Sequence, residues 1–235
     1  MVMAILNVTP DSFYAASRLS GPSEVVEAAQ RALQDGAHIL DIGACSTRPG
    51  VEFASADEEW RRLEPVLYAL RDQMPDAALS LDTFRPEIAQ RALDICSTMI
   101  INDISGGCEA MYELVRHYRV PYVWTLRGDL SLPARRPDMQ DIDLILDPGL
   151  GFTGGVESDY ACLRRLDELN AYGLPVLVGV SRKSMIYRPL CLTPDTCGEA
   201  TQALHMYALM HGATILRTHD VAATVRTVTL WQMTR

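Results

Sequence analysis

At 235 residues, with 48% hydrophobic and 22% charged residues, the chain has the composition of an ordinary globular protein rather than a disordered one. Its net charge of −9 excludes a broad nucleic-acid-binding face, which needs clustered Lys and Arg, but leaves room for a local cationic pocket. No run of ~18 apolar residues is present, so no membrane span is expected. The opening Val2-Met3-Ala4-Ile5-Leu6 lacks the basic region of a secretion signal, which points to the cytoplasm.

Short apolar runs, each closed by a polar or Gly/Pro cluster, predict buried parallel strands at 3–8, 39–42, 78–82, 99–103, 122–125, 144–147, 176–180 and 214–217. Amphipathic stretches between them predict helices at 22–35, 57–73, 86–94, 109–118, 158–170, 196–211 and 220–231. In the first helix Val25, Val26, Ala29 and Leu33 form the apolar stripe, Pro22 suits its first turn, and Gly36 suits a left-handed cap. The alternation predicts an α/β fold: one (β/α)8 barrel, a TIM barrel, spanning residues 1–235 as a single domain. An open doubly wound sheet is the competing layout, and the absence of GxGxxG in the first strand–turn–helix unit weakens its dinucleotide-binding form. Between Leu126 and Ile142 the chain carries Pro133 and Pro137 and little helical period. The fifth outer helix is therefore expected to be shortened or missing, with the exposed barrel surface open to a partner subunit.

In such a barrel the chemistry sits at the C-terminal strand ends. In order these carry Asn7, Asp41, Asp82, Asn102 with Asp103, Thr125, Asp147, Ser181 with Arg182 and Lys183, and Arg217 with His219. A single strand-end Asp is most simply a helix cap. Asp82, Asn102 and Asp147 together instead match the donor edge of a flat, amide- and amine-bearing heterocycle. Lys183, Arg217 and His219 follow the last two strands, where barrels keep anion sites. Two loops, Asn7-Val8-Thr9-Pro10-Asp11-Ser12-Phe13 and Ser46-Thr47-Arg48-Pro49-Gly50, are placed to exclude water from the mouth. His38, His117, His205 and His211, like Trp60 and Trp231, fit packing roles. The six cysteines form no CxxC pair and read as reduced, mostly core residues.

Taken together, Ile5-Leu6-Asn7-Val8-Thr9-Pro10-Asp11-Ser12-Phe13, Asp41-Ile42-Gly43, Ser46-Thr47-Arg48-Pro49-Gly50, Leu81-Asp82-Thr83, Ile101-Asn102-Asp103-Ile104, Asp147-Pro148-Gly149-Leu150-Gly151-Phe152, Ser181-Arg182-Lys183-Ser184 and Arg217-Thr218-His219-Asp220-Val221 resemble, in order, the dihydropteroate synthase family. The resemblance implies a (β/α)8 barrel, usually a homodimer, that joins p-aminobenzoate to 6-hydroxymethyl-7,8-dihydropterin diphosphate with Mg2+ and releases diphosphate. It implies that Asp82, Asn102, Asp147 and Lys183 hold the pterin and that Asn7 contacts the metal. Arg217 and His219 would bind diphosphate, and Thr47, Arg48, Phe152 and Ser184 would shape the p-aminobenzoate site. The chain departs from the family at Phe13-Tyr14-Ala15-Ala16-Ser17, where an Asp-Gly-Gly-like turn is usual. It departs again at Thr125-Leu126-Arg127, where a Met-His pair is usual, and at Thr153-Gly154-Gly155, which lacks a Lys. The family's usual extension before the first strand also has no counterpart. Two rival readings remain: an inactive homologue that binds pterin or supports a partner subunit, and a pterin-binding methyl-transfer domain, which would not carry the Ser-Thr-Arg-Pro-Gly and Ser-Arg-Lys-Ser loops.

Overall fold

Alternating side chains along short parallel strands divide the molecule into an inner and an outer apolar cluster, with the site resting on the inner one. The computed structural model describes residues 1–8, 21–45, 53–130, 139 and 141–234. Eight strands form one parallel sheet: β1 (Val2–Asn7), β2 (Ile39–Gly43), β3 (Leu79–Asp82), β4 (Ile100–Asp103), β5 (Tyr122–Thr125), β6 (Leu144–Asp147), β7 (Leu177–Val178) and β8 (Ile215–Thr218). Hydrogen-bonded order runs β6-β5-β4-β3-β2-β1-β8-β7. The ring closes through a parallel bridge between Leu146 and Val176, with the Leu146 N–H donating to the Pro175 carbonyl at 2.8 Å.

Met3, Ile39, Val123, Ile145, Leu177 and Ile215 point inward and pack as a separate apolar cluster, with Ile100 against it. Because strand side chains alternate, their i+1 neighbours, among them Ala4, Leu40, Leu146, Val178 and Leu216, face the helices and join the large outer core. The i+2 residues return to the barrel axis one layer higher. Those residues are Ile5, Asp41, Asn102, Thr125, Asp147, Gly179 and Arg217. An apolar plug therefore lies beneath a polar ring.

The outer layer comprises α1 (Pro22–Gln34), α2 (Ala56–Gln73), α3 (Pro86–Ile95), α4 (Glu109–Tyr118), α5 (Val156–Arg164), α6 (Ser184–Tyr187), α7 (Gly198–Met210) and α8 (Val221–Met233). Pro22 occupies the first turn of α1, and Gly36 follows that helix with φ of +96°, as its composition predicts. Ser55 caps α2 by accepting from the Glu58 N–H at 3.2 Å, and Trp60, Leu63, Val66, Leu67 and Leu70 form its buried stripe. No described helix is long and apolar enough to cross a membrane.

Three elements differ from expectation. β7 is confined to Leu177–Val178, because Gly179 lies against the Arg217 side chain and the chain then turns through Arg182 at φ 57°. The helix expected over 158–170 starts earlier and breaks at Arg165 into a 3-10 turn, Leu166–Tyr172. Leu163, Leu166 and Leu169 are spaced by three, so the tighter 3-10 repeat keeps all of them buried. The short α6 after Lys183 is additional. Between β5 and β6 the described residues contain no α-helix, and most of the segment on which the expected loss of the fifth outer helix falls, residues 131–138 and 140, lies outside the description. Of the six cysteines, all free, Cys45, Cys162 and Cys197 are buried, whereas Cys108 and Cys191 are exposed rather than in the core.

Leu177 is fully buried within the plug. Leu177→Ala should lower unfolding free energy in urea by about 2–5 kcal/mol, the usual cost of a large-to-small core change.

Candidate active site

Strand register brings the predicted residues to one rim. Asn7 lies opposite Gly43, Gly43 opposite Asp82, Asp82 opposite Asn102, and Thr125 opposite Asp147. A Cβ on Gly43 would stand 3.3 Å from the Asp82 Cβ, so a glycine there lets the acid lean across β2.

Arg217 organises the centre. Its Nε donates to Asp41 Oδ2 at 2.6 Å, and its Nη2 donates to Asp82 Oδ2 at 2.6 Å. Asn102 Nδ2 donates to both Asp41 oxygens at 3.2 and 3.4 Å. Asp41 is fully buried, while Asp82 is nearly so and leaves Oδ1 buried without a hydrogen-bond partner. Burial raises the Asp82 pKa to about 7; Arg217 opposes that rise and Asp41 adds to it. The acid is therefore poised near neutrality with one unsatisfied oxygen.

Asp147 accepts from the Gly149 N–H at 2.7 Å, so it also holds the turn of the glycine-rich loop. Burial raises its pKa and Lys183 opposes that rise. Lys183 donates to the Leu150 carbonyl, and its Nζ stands 5.2 Å from the Phe152 ring centroid. Burial pushes the Lys183 pKa down, with Asp147 supporting the charge. A Cβ on Gly151 would meet the Lys183 side chain at 3.0 Å, and one on Gly179 would lie 3.8 Å from both Lys183 and Arg217. Gly151 thereby leaves the Lys183 side chain its room, and Gly179 lies within van der Waals reach of both cations. Ser184 follows at the start of α6.

His219 Nδ1 lies 3.0 Å from Ser181 Oγ, and the His219 N–H donates to that oxygen at 3.2 Å. Burial, helped by Arg217 and Arg182, lowers its pKa to about 3, so the imidazole is neutral. Arg182 forks onto Asp220 at 2.8 and 3.2 Å and braces the following turn. Thr47 and Arg48 lie outside the described residues. His38 serves the fold by accepting the Val2 N–H at 3.2 Å, and His205 is buried between α7 and α8.

Two participants were not singled out by residue type. Asp41 stood among the strand-end acids without a role, although its parity two residues beyond Ile39 matches that of Asn102 beyond Ile100. Asp159, buried near the start of α5, receives the Gly151 N–H at 2.6 Å and the Thr153 hydroxyl at 2.7 Å, and so shapes the loop where the family's Lys is missing. No signal in the local sequence pointed to it. Among the described residues no three His, Cys, Asp or Glu side chains gather to hold a metal. Asn7 stands at the rim opposite Gly43, and an asparagine amide is a ligand type that suits a hard divalent cation.

The fold is a (β/α)8 barrel whose rim gathers buried acids, an amide and two cations at one mouth, the layout of a barrel enzyme. The family described as "Pterin binding enzyme" matches residues 3–129 and 133–219. A dihydropteroate synthase of Synechocystis is 36% identical over 94% of this chain and 86% of its own length. The solved dihydropteroate synthase of Xanthomonas albilineans with 4-aminobenzoic acid has a TM-score of 0.85, at 34% identity over 99% of this chain and 92% of that one. That of Coxiella burnetii with pteroic acid has a TM-score of 0.86, at 30% identity over 99% and 92%. The chain belongs to the pterin-binding enzyme family and, within it, to the dihydropteroate synthases of folate biosynthesis.

Removing Arg217 would leave Asp41 and Asp82 facing each other. A carboxyl whose folded pKa is raised keeps its proton in the folded state between roughly pH 4 and its folded value, and stability is lost as pH rises through that window. Arg217→Met should therefore cost about 3–5 kcal/mol near pH 8, as expected for breaking a buried pair, and clearly less near pH 5.5, where Asp82 is protonated. Urea unfolding at the two pH values checks this.

Proposed function

We propose that Asp82, Asn102, Asp147 and Lys183 hold the dihydropterin ring of 6-hydroxymethyl-7,8-dihydropterin diphosphate, and that Arg217 and His219 receive its diphosphate. Thr47, Arg48, Phe152 and Ser184 orient p-aminobenzoate. What carries this reading is the Arg217 cluster. The ring-binding acids and the anion-binding cation share hydrogen bonds, so ring and diphosphate must enter through one mouth.

Asp82 Oδ1, buried without a partner, is the acceptor for the donor edge of the ring. The ionised carboxylate then favours cationic character at the pterin methylene as its bond to the diphosphate oxygen breaks. The bonds to Asp41 and Asp82 occupy Arg217 Nε and Nη2, and Nη1 is assigned to the departing diphosphate. Neutral His219 binds as a hydrogen-bonding group and not as a charge. The lone pair of the aromatic amine forms the new C–N bond, and its proton passes to the released diphosphate or solvent, so no protein nucleophile is needed. Mg2+, with Asn7 among its ligands, would supply charge neutralisation on the phosphoryl oxygens.

The partner proposed is a second copy of the chain, seated on the ends of α7 and α8, where Met210, Leu230 and Met233 are exposed. Leu230→Glu should convert a dimer to a monomer in sedimentation experiments; a wild type that sediments as a monomer would refute this assignment.

Purified protein given the pterin diphosphate, p-aminobenzoate and Mg2+ should release diphosphate in step with dihydropteroate. Pterin binding without product would favour the inactive-homologue reading, which the departures in the first loop motivate. Asp82→Ala should weaken pterin binding at least about 100-fold, since it removes a buried charged acceptor worth roughly 2–3 kcal/mol or more; calorimetric titration reads it directly.

A further inference from the structure

Outside the pterin cluster, Glu59 on α2 is a carboxylate with no exposed surface. It faces the rear of the exit from β3. Its Oε1 accepts from the Thr83 hydroxyl at 2.7 Å, and its Oε2 pairs with Arg85 Nη1. Thr83 is the residue after Asp82, and its Oγ1 also accepts the Arg85 backbone N–H at 3.3 Å. One carboxylate thus braces the turn that carries Asp82.

Arg85 reaches onward to both sides of the segment 46–52. Its Nη2 donates to the Ala54 carbonyl at 2.5 Å, and its Nη1 lies 4.0 Å from Cys45 Sγ. The guanidinium also stands over the Phe84 ring at 4.8 Å, and Phe84 meets Phe53 at a centroid separation of 5.1 Å. A second arginine supports the near side: Arg62 Nη1 donates to the Ala44 carbonyl at 3.0 Å, while its Nε pairs with Glu58 at 2.8 Å. The residues flanking the segment, Ala44–Cys45 and Phe53–Ala54, are thereby tied to the β3 exit by a charged fork buried on an acid of α2.

A buried carboxylate is stabilising only when paired and hydrogen-bonded, and an arginine fork holds its partners in fixed geometry as a lysine point charge does not. Solubility does not require such a pair. Its geometry is directed at two places, the Asp82 turn and the flanks of the segment that carries Thr47 and Arg48.

We infer that Glu59 and Arg85 are positioning residues, which hold Cys45 and Ala54, on either side of the segment bearing Thr47 and Arg48, to the Asp82 turn and so set the affinity for the amine substrate. This rests on the assignment of Thr47 and Arg48 to p-aminobenzoate made above. Neither residue is expected to touch substrate.

The test is Arg85→Lys, which retains the charge against Glu59 and loses the fork. With pterin diphosphate saturating, the KM for p-aminobenzoate should rise about tenfold, the loss of roughly one charge-assisted hydrogen bond in positioning. The Kd for pterin and the KM for its diphosphate should stay within about twofold of wild type, a split that general destabilisation would not produce. An unchanged KM for the amine, or an equal rise for both substrates, overturns the inference. Alkylation of Cys45, resolved by peptide mass, reads the same anchor without catalysis. Cys45 is buried beside Arg85, so its labelling should be faster in Arg85→Lys than in wild type, and equal rates count against the anchor. A wild type that releases no diphosphate sinks the functional reading alone, and the alkylation rates then decide this one. Should Arg85→Lys fail to fold, the double variant Glu59→Gln/Arg85→Gln, which leaves no lone buried charge, is read by the same measurements.

Discussion

The pairing of Arg217 with Asp41 and Asp82 inside the barrel is the constraint on which the rest of the site depends. Three charges sit above an apolar plug and are largely removed from water. Isolated, any one of them would be driven to neutrality or would unfold its surroundings. Together they hold one another in place, and Asn102 is drawn into the same network through Asp41. Within this network the buried Oδ1 of Asp82 has no hydrogen-bond partner among the described residues.

Around this centre the glycines act as space. Gly43 and Gly151 lie where a Cβ would crowd Asp82 and Lys183. Asp147 and Asp159 hold the glycine-rich loop from two sides, through Gly149 and Gly151. The chain's departure from its family at Thr153 is thus accommodated by a local bond: the threonine hydroxyl completes the coordination of Asp159. Outside the barrel, the Glu59–Arg85 pair follows the same rule of paired buried charge.

Much of the architecture was legible because strands and helices bury different periods. Tyr122–Thr125 and Leu144–Asp147 fall where their apolar runs place them, and Glu109–Tyr118 does as well. The misplacements arise where tertiary contact overrides local pattern. Val176–Val180 reads as a strand, yet Gly179 is claimed by the Arg217 side chain. The stretch 158–170 reads as one helix, yet a spacing of three among buried leucines favours the tighter turn.

The sequence by itself determined the parity of each strand, and with it which side chains enter the barrel and which face the helices. It also supplied the acids, amides and cations at the strand ends in family order. Only the tertiary structure decided that Asp41 and Asp82 share one arginine, that His219 rests neutral on Ser181, and that Arg85 spans Cys45 and Ala54. Parity is a property of a single strand, whereas pairing across the axis depends on how the closed, staggered ring sets the height of each strand against the others.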